Sequence, residues 1–495
     1  MGTNTPKRSN IKSNKVVSGL FWVYLENISA QIVSFIVTII LARLLAPSYY
    51  GTIALVGVFI SVANVFVNSG FGAALIQKKD SDELDYSSMF WFNIIVSLFL
   101  YIIIFVLSPF VARYYENSEL SIIMRILALS VPLSAFNCIQ QAYVSSQMAF
   151  KKSFLSKSGG ALVSGTVAVC LAYSGAGIWS LVAQRILQVF FDTLFLWLIV
   201  KWTPRMIFSW QRLKPLISYG WKLLTTGLLF TIYSELRTLI IGKRYSTADL
   251  GFYNQGFSFP KFIASNVDST ITRVLFPTLS NANDGSVRLA EKTRRAAKTS
   301  AFIMTPILFG LMMVSDTLVP LLIGEKWAPC IPYMKIMCLV WWLQPTQTCS
   351  LQAIKAIGRS DIYLKAEIFN KIIGLGLLAY AVFVLDSVMA IALTMLVAQF
   401  VAMVVYGLCS QKFIGYKIRD QFADLLLPVL YSLPMCCFVG LMPLWVHNSL
   451  LCIVLQVIIG GFLFIAMSIL CKSESLRYIT DILGINLSFP SYRRN

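Results

Sequence analysis

A chain of 495 residues that is 57% apolar and only 13% charged carries more apolar surface than a soluble core could hide, because soluble domains run nearer half apolar and about a quarter charged. Its formal charge of +19 would suit a nucleic-acid partner, but the cations sit in short gaps between apolar stretches, so membrane topology explains them without an acidic partner. The longest gaps, 201–214 and 279–296, are too short to fold alone, which excludes catalysis in an extramembrane domain.

Crossing a bilayer core takes about 20 apolar residues. Fourteen such stretches follow one another near 16–42, 51–76, 86–111, 120–146, 154–174, 176–200, 215–241, 249–278, 297–323, 330–354, 362–385, 387–410, 421–445 and 448–471. Lys7, Arg8, Lys12 and Lys15 lead into the first, which is too long for the apolar core of a signal peptide and lacks a small-residue cleavage site. It is therefore expected to be retained as span 1. When Lys157, Lys298 and Lys365 at stretch ends are counted with the adjoining gaps, the segments on the side of the N-terminus hold 28 of the 41 Lys and Arg residues. The opposite side holds five: Arg43, Arg113, Lys243, Arg244 and Lys326. Cytoplasmic loops hold the Lys/Arg excess, so both termini are predicted to be cytoplasmic, in an all-α polytopic protein with fourteen transmembrane helices.

The chain also repeats itself at a shift near 200 residues. Ile40-Leu-Ala-Arg-Leu-Leu-Ala-Pro-Ser-Tyr-Tyr-Gly51 faces Ile240-Ile-Gly-Lys-Arg-Tyr-Ser-Thr-Ala-Asp-Leu-Gly251, with Arg43 opposite Lys243. In spans 4 and 10, Met124-Arg125-Ile126 faces Met334-Lys335-Ile336, and Gln141-Ala142 faces Gln352-Ala353. Six spans per copy is an even number, so the copies run the same way through the membrane. Transporters built from such parallel repeats bind substrate between the halves. The expected organisation is a basic N-terminus (1–15), a six-helix bundle (16–200), a cytoplasmic linker (201–214), a second six-helix bundle (215–410), two extra helices (421–471) and a cytoplasmic tail (472–495).

Ionisable residues inside spans cost about 2.5–3.5 kcal/mol each at the bilayer centre on insertion scales, and mark functional sites by default. Arg125, Lys335 and Lys222 lie close enough to span ends for structural roles. The deep candidates are Glu26 in span 1, Arg185 and Asp192 in span 6, Lys261 and Asp268 in span 8, and Lys371 in span 11, while Glu235 and Arg237 sit in the outer half of span 7 and Arg273 in the inner third of span 8. The seven-residue spacings of Lys261–Asp268 and Arg185–Asp192 put each pair on one helix face, as structural ion pairs or as parts of a binding site. Under the repeat, Lys261, Asp268 and Arg273 fall opposite Ser61, Asn68 and Ala73, so charge in one copy meets small and polar groups in the other. Asn64, Asn68, Gln140 and Gln141 offer hydrogen bonds to sugar hydroxyls. Pro260, Pro277, Pro306 and Pro345 are candidate kinks, and Gly159-Gly160 to Gly165 suggests close packing in span 5.

Other chemistry is missing from the sequence. There is one histidine, His447, so a His-centred relay or triad is excluded, and no G-x-x-x-x-G-K-[ST] run appears. The ten cysteines make no C-x-x-C pair, which argues against a metal site or disulfide framework. No Asp cluster offers a metal–phosphate site for a glycosyltransferase, and no long outer loop offers a polymerase platform. Movement of a substrate is what remains, with no cofactor and no metal.

Several stretches resemble the Wzx-type polysaccharide flippases of the multidrug/oligosaccharidyl-lipid/polysaccharide exporter superfamily, in the subgroup of colanic-acid and teichuronic-acid exporters. They are Leu41-Ala-Arg-Leu-Leu-Ala-Pro47 with Tyr50-Gly51, Phe66-Val-Asn-Ser-Gly-Phe-Gly72 with Leu75-Ile76, Tyr173-Ser-Gly-Ala-Gly-Ile-Trp179, Ile241-Gly-Lys243 with Ala248-Asp-Leu-Gly251, Arg273-Val-Leu-Phe-Pro277, Gly324-Glu-Lys-Trp327 and Gly358-Arg-Ser-Asp361. The resemblance runs from about residue 16 to 445. It implies two six-helix bundles opening alternately to each side of the bacterial inner membrane, with spans 1, 2, 7 and 8 lining a cavity. It also implies an undecaprenyl-pyrophosphate-linked oligosaccharide as substrate, spans 13 and 14 helping to accommodate its polyprenyl tail, and polysaccharide polymerase machinery and membrane lipids as partners.

Within that cavity the candidate substrate contacts are Glu26, Asn64, Asn68, Glu235, Arg237, Lys261, Asp268 and Arg273, with Arg185, Asp192 and Lys371 as secondary candidates. Lys261, Arg237 and Arg273 suit a pyrophosphate or acidic sugars, while Glu26 or Asp268 could couple movement to protons or sodium. An ion-coupled multidrug exporter and, behind it, a membrane polymerase or glycosyltransferase remain as competing readings.

Overall fold

The computed structural model describes residues 31–68, 81–280 and 286–483, together with Trp22, Leu25, Ser29 and Leu75. Among these residues the chain is almost entirely helical and has no β-strand. Among the described residues eleven helices are long and apolar enough to cross a membrane, so the protein is a multi-pass membrane protein. The three remaining predicted spans also contain helix. α1 (Gln31–Leu44) is the described part of span 1, α9 (Thr247–Ser280) is span 8, and span 10 is two helices, α11 (Ile331–Trp342) and α12 (Gln344–Ala356).

Polar content keeps α9 out of the apolar set, and α12, polar as well, is only 13 residues long. α9 carries Asp249, Lys261, Asp268 and Arg273, and α12 carries Gln344, Gln347, Gln352 and Lys355. The break inside span 10 has a local cause, because Pro345 has no N–H to give to the preceding turn. Span 4 breaks in the same way into α4 (Glu119–Ala128) and α5 (Ser130–Ser146), with Pro132 just past the junction. Pro306, by contrast, lies within one continuous helix, α10 (Ser286–Ile323).

Contacts divide the chain into two units, Met1–Gly251 and Phe252–Asn495. The sequence repeat opens its second copy at 215, whereas packing keeps α8 (Trp210–Arg244) with the first unit, against α2 (Pro47–Asn68) and α3 (Glu83–Tyr114). Within that unit α6 (Phe150–Tyr173) and α7 (Ile178–Ile199) form the most intimate pair. Gly160 is the reason: a Cβ there would lie 2.9 Å from the Asp192 backbone nitrogen. Small residues let helix backbones approach where the lipid offers no hydrophobic drive for association.

The predicted linker 201–214 is sewn onto its surroundings. Gln140 donates to the Trp202 carbonyl (2.8 Å), the Trp91 indole donates to the Arg205 carbonyl (2.9 Å), and the Arg205 and Ser209 amides donate to Ser87 and Ser88. Arg205 also pairs with Glu83 at 2.7 Å. At the start of α3, Asp82 and Asp85 form a capping box. Arg212 lies 3.4 Å from Asp82 and 3.9 Å from Asp85, so part of the basic population of this loop answers helix-start carboxylates.

In the second unit α10 packs against α11, α12, α15 (Ile418–Leu441) and α16 (Ser449–Leu470), and α14 (Val388–Ile414) against α12 and α13 (Ser360–Tyr380). α13 runs into a π-helical turn, Ala381–Leu385. Arg294 reaches Asp424 through two hydrogen bonds (2.7 and 3.2 Å), and the Tyr416 hydroxyl donates to the same carboxylate at 3.0 Å. A short amphipathic helix, α17 (Glu474–Leu483), is tied to α10 by the Lys298–Glu474 ion pair. That bond from Lys298 holds the Glu474 carboxyl below its ordinary pKa.

Candidate functional site

Polar groups gather in two places inside the apolar scaffold, one in each unit. In the first unit the site grows from the antiparallel α2–α8 pair. A Cβ at Gly242 would lie 2.7 Å from Leu55, which sets the two helices in register. Five residues back along α8 is Arg237, at the height of the middle of α2, about one turn from Asn64. Arg237 is 6% exposed, and its Nε has no hydrogen-bond partner. Its guanidinium stands 5.7 Å from the Tyr233 ring centroid. The Asn64 Oδ1 is likewise buried without a partner. Each such group costs about 1–3 kcal/mol when left unsatisfied. One donor and one acceptor on the same helix pair are therefore buried without a partner.

Arg185 on α7 and Glu235 on α8 come within electrostatic reach of each other, and Arg185 also lies beside Tyr50 at the start of α2. Arg185 keeps accessible surface although protein surrounds it. Tyr50 was not among the expected polar groups, although it stands in the Ala-Pro-Ser-Tyr-Tyr-Gly run; only helix packing brings it within electrostatic reach of Arg185, while its hydroxyl points to the Thr38 carbonyl at 3.5 Å. Asp192 accepts hydrogen bonds from Ser156 of α6 on both its carbonyl, at 2.7 Å, and its carboxylate. It thereby ties the α6–α7 pair together. Residues seven apart on a helix share a face but lie about 10 Å apart along the axis, so Arg185 and Asp192 meet different neighbours.

The second unit builds its polar region from α9 and α12. The Asp268 carboxylate accepts from the Thr348 hydroxyl, and one turn along each helix Gln352 donates to Thr272 at 3.5 Å. The α12 face continues with Gln347 donating to the Gln399 carbonyl (2.9 Å) and Gln399 donating to Gln344 (2.6 Å). Thr346, Gln347, Thr348, Ser350 and Gln352 are all buried. Sequence reading passed over this run because none of its members is charged, although five polar residues within seven positions of a membrane span were a visible signal.

Lys261 is exposed, with its ammonium 5.3 Å from the Phe257 ring centroid. No ion pair joins it to Asp268, again because two helical turns separate them. Lys371 lies 4.0 Å from Glu367, whose other oxygen accepts from the Tyr406 hydroxyl at 2.5 Å. Asn68 is exposed at the end of α2. Glu26 and the Arg273 side chain lie outside the described residues.

Each of the two glutamines suggested for sugar binding has one structural partner and one buried atom without any, Gln140 Oε1 and Gln141 Nε2. Gln140 is fully buried on the Trp202 carbonyl, and Gln141 accepts from Ser153 at 2.9 Å. Arg125 and Lys335 are similarly accounted for. Arg125 donates to Ser108 (2.8 Å) and stacks on Phe105 (4.3 Å), and Lys335 pairs with Asp316 (2.7 Å). Among the described residues, no group of three His, Cys, Asp or Glu side chains could hold a metal ion.

The chain is similar to the teichuronic acid biosynthesis protein TuaB of Bacillus subtilis (strain 168), with 25% identity over 71% of this chain and 73% of the relative. It is also similar to the lipopolysaccharide biosynthesis protein WzxC of Escherichia coli (strain K12), with 23% identity over 85% and 86%. Among solved structures, the lipid II flippase MurJ in an inward closed conformation matches 94% of this chain and all of its own, with a TM-score of 0.74 at 14% identity. That likeness fixes a shared fold. Residues 40–332 match the model of the polysaccharide biosynthesis protein family, and with more than half its length matched the chain belongs to that family.

Proposed function

We propose that this protein is a flippase that carries an undecaprenyl-pyrophosphate-linked oligosaccharide repeat unit across the bacterial inner membrane by alternating access, with both termini in the cytoplasm and fourteen spans. The observation that carries this reading is the pair of unsatisfied groups on α2 and α8, the buried Arg237 Nε and Asn64 Oδ1, with Arg185 and Glu235 near that helix pair in the same unit. Inside a hydrocarbon core an unsatisfied polar group costs several kcal/mol. A diphosphate accepts from a guanidinium through charge-assisted bonds, and a sugar hydroxyl donates to an amide oxygen. The polyprenyl tail stays in the lipid, so only the headgroup needs polar lining.

No catalytic constellation is required by this chemistry, since no bond is made or broken. The relatives named for teichuronic acid and lipopolysaccharide biosynthesis support a glycan substrate. The fold shared with a lipid II flippase supports a lipid-linked one.

The test is deletion of the gene, followed by mass spectrometry of the lipid fraction. A flippase leaves complete undecaprenyl-linked repeat units accumulating while surface polysaccharide is lost. Incomplete units would favour a glycosyltransferase. Normal surface polysaccharide together with raised drug sensitivity would favour a multidrug exporter.

A further inference from the structure

A cavity of about 190 Å³ lies in the second unit, where α15 begins and α16 gives way to α17. That is the share of about six water molecules, room for a phosphate with its glycerol and too little for an oligosaccharide. Phe302 of α10 with Leu427 and Tyr431 of α15 supplies apolar wall, and the turn from Lys472 to Ser475 supplies most of the polar lining. The turn ends α16 in a Schellman arrangement. The Lys472 amide donates to the Ile469 carbonyl at 3.0 Å and the Ser473 amide to the Ser468 carbonyl at 2.9 Å, with Lys472 itself left-handed at φ 51°. Glycine suits that position because a Cβ is penalised there. Lysine keeps the strain and brings an ammonium to the cavity.

The polar groups of the lining are unequally answered. Asp424 is taken by Arg294 and Tyr416, and Glu474 by Lys298. Lys472, by contrast, pairs with no acid among the described residues. Ser473 and Ser475 are 5% and 4% exposed, and among the described residues neither hydroxyl has a hydrogen-bond partner. α17 starts at Glu474, so the amides of its first turn also lack intrahelical acceptors. One spare cation, two spare buried hydroxyls and a helix start together complement a single anion.

Its place in the membrane narrows the anion. On α15 the lining straddles the point where Arg419, Asp420 and Asp424 give way to an apolar run from Leu425, the level at which hydrocarbon meets headgroups. From Leu427 the surface of α15 continues through Leu430 and Leu433, all three exposed on a membrane-spanning helix. Basic pockets between spanning helices at this level recognise lipid headgroups.

We propose that this cavity holds the phosphate of an anionic glycerophospholipid from the surrounding bilayer, with Lys472 and the Ser473 and Ser475 hydroxyls as its contacts and the acyl chains along the leucines of α15. The inference stands whatever the protein transports.

The test is lipid binding to the purified full-length protein in detergent, read by native mass spectrometry and by thermal unfolding. Phosphatidylglycerol is expected to bind and to raise the unfolding temperature; phosphatidylcholine binding equally well would overturn the proposal. Lys472→Gly separates ligand contact from structure. Relief of the left-handed strain should raise the unfolding temperature without lipid, while affinity for phosphatidylglycerol falls by about tenfold. Ser475→Ala removes a hydroxyl that bonds nothing in the protein, so it should leave lipid-free stability unchanged and lower affinity by about threefold. Lys365→Ala, at an exposed cation of α13 outside the cavity, should change neither. Unchanged affinity in Lys472→Gly and Ser475→Ala overturns the site, and so does an equal loss in Lys365→Ala, which would show attraction to surface charge alone. Inorganic phosphate binding as tightly as the lipid would assign the cavity to a free anion and overturn the lipid.

Discussion

The polar regions of the two units treat Arg237 and Asp268 differently. In the second unit the acidic group is answered within the protein: Asp268 takes the Thr348 hydroxyl, and the glutamines of α12 bond to one another and to backbone. In the first unit the packing leaves groups unanswered, with Arg237 Nε and Asn64 Oδ1 buried and unbonded. A satisfied network rigidifies its helices, whereas an unsatisfied pair stores a cost that a ligand can relieve. Buried atoms without partners also occur on α9 and α12, at Asn254 Nδ2 and Ser350 Oγ, so the two regions differ in their charged groups: the guanidinium of Arg237 keeps an unpaired nitrogen, whereas the carboxylate of Asp268 is bonded.

Substitutions can break or sharpen that division. The largest effect is expected from Arg237→Ala, which should abolish surface polysaccharide while the protein remains in the membrane; Arg237→Lys should restore little, because a point charge lacks the guanidinium fork. Export near the wild-type level in both variants would remove Arg237 from the site. Next comes Thr348→Val. If Asp268 is structural, losing its hydroxyl partner should lower stability by about 1–3 kcal/mol and reduce export only in proportion to protein amount. A tenfold loss of export at equal abundance would make α9 and α12 part of the site instead. Lys261→Ala tests the same boundary from an exposed position, with a small effect expected from a cation resting on one ring; complete loss of export would draw α9 into the substrate path.

Smaller effects should come from groups far from both regions. Arg294→Ala leaves the buried Asp424 with only the Tyr416 hydroxyl, and a loss of about 2–3 kcal/mol is expected in thermal unfolding of the detergent-solubilised protein. The smallest is the Lys298–Glu474 tie. The Glu474 pKa is lowered in the folded state by its bond to Lys298, so its contribution is present above the ordinary carboxylate pKa and fades as pH falls through the lowered value. Because Glu474 is largely exposed, the change in unfolding temperature between neutral and acidic pH should differ only slightly between wild type and Glu474→Gln. A large difference would give α17 more structural weight than its contacts suggest.

Much of this protein was legible in the sequence because the bilayer imposes its terms locally. Apolar length, the placement of Lys and Arg, and the matching runs around Gly51 and Gly251 could each be read without knowing which helix meets which. The polar partners could not. The seven-residue spacing of Lys261 and Asp268 announced a shared face, yet Asp268 is answered by Thr348, 80 residues further on, and Lys261 by a ring one turn away. Gln140 looked available for a ligand until the chain between α7 and α8 laid the Trp202 carbonyl against it. Sequence periodicity fixes which face of its own helix a side chain occupies, and in lipid it also fixes that the helix spans. What lies opposite that face depends on contacts between segments distant in the chain. Only the packing of α2 against α8 shows that Arg237 is buried with a donor to spare, and only the close approach of the Gly51 and Gly251 backbones turns a repeated motif into a physical contact.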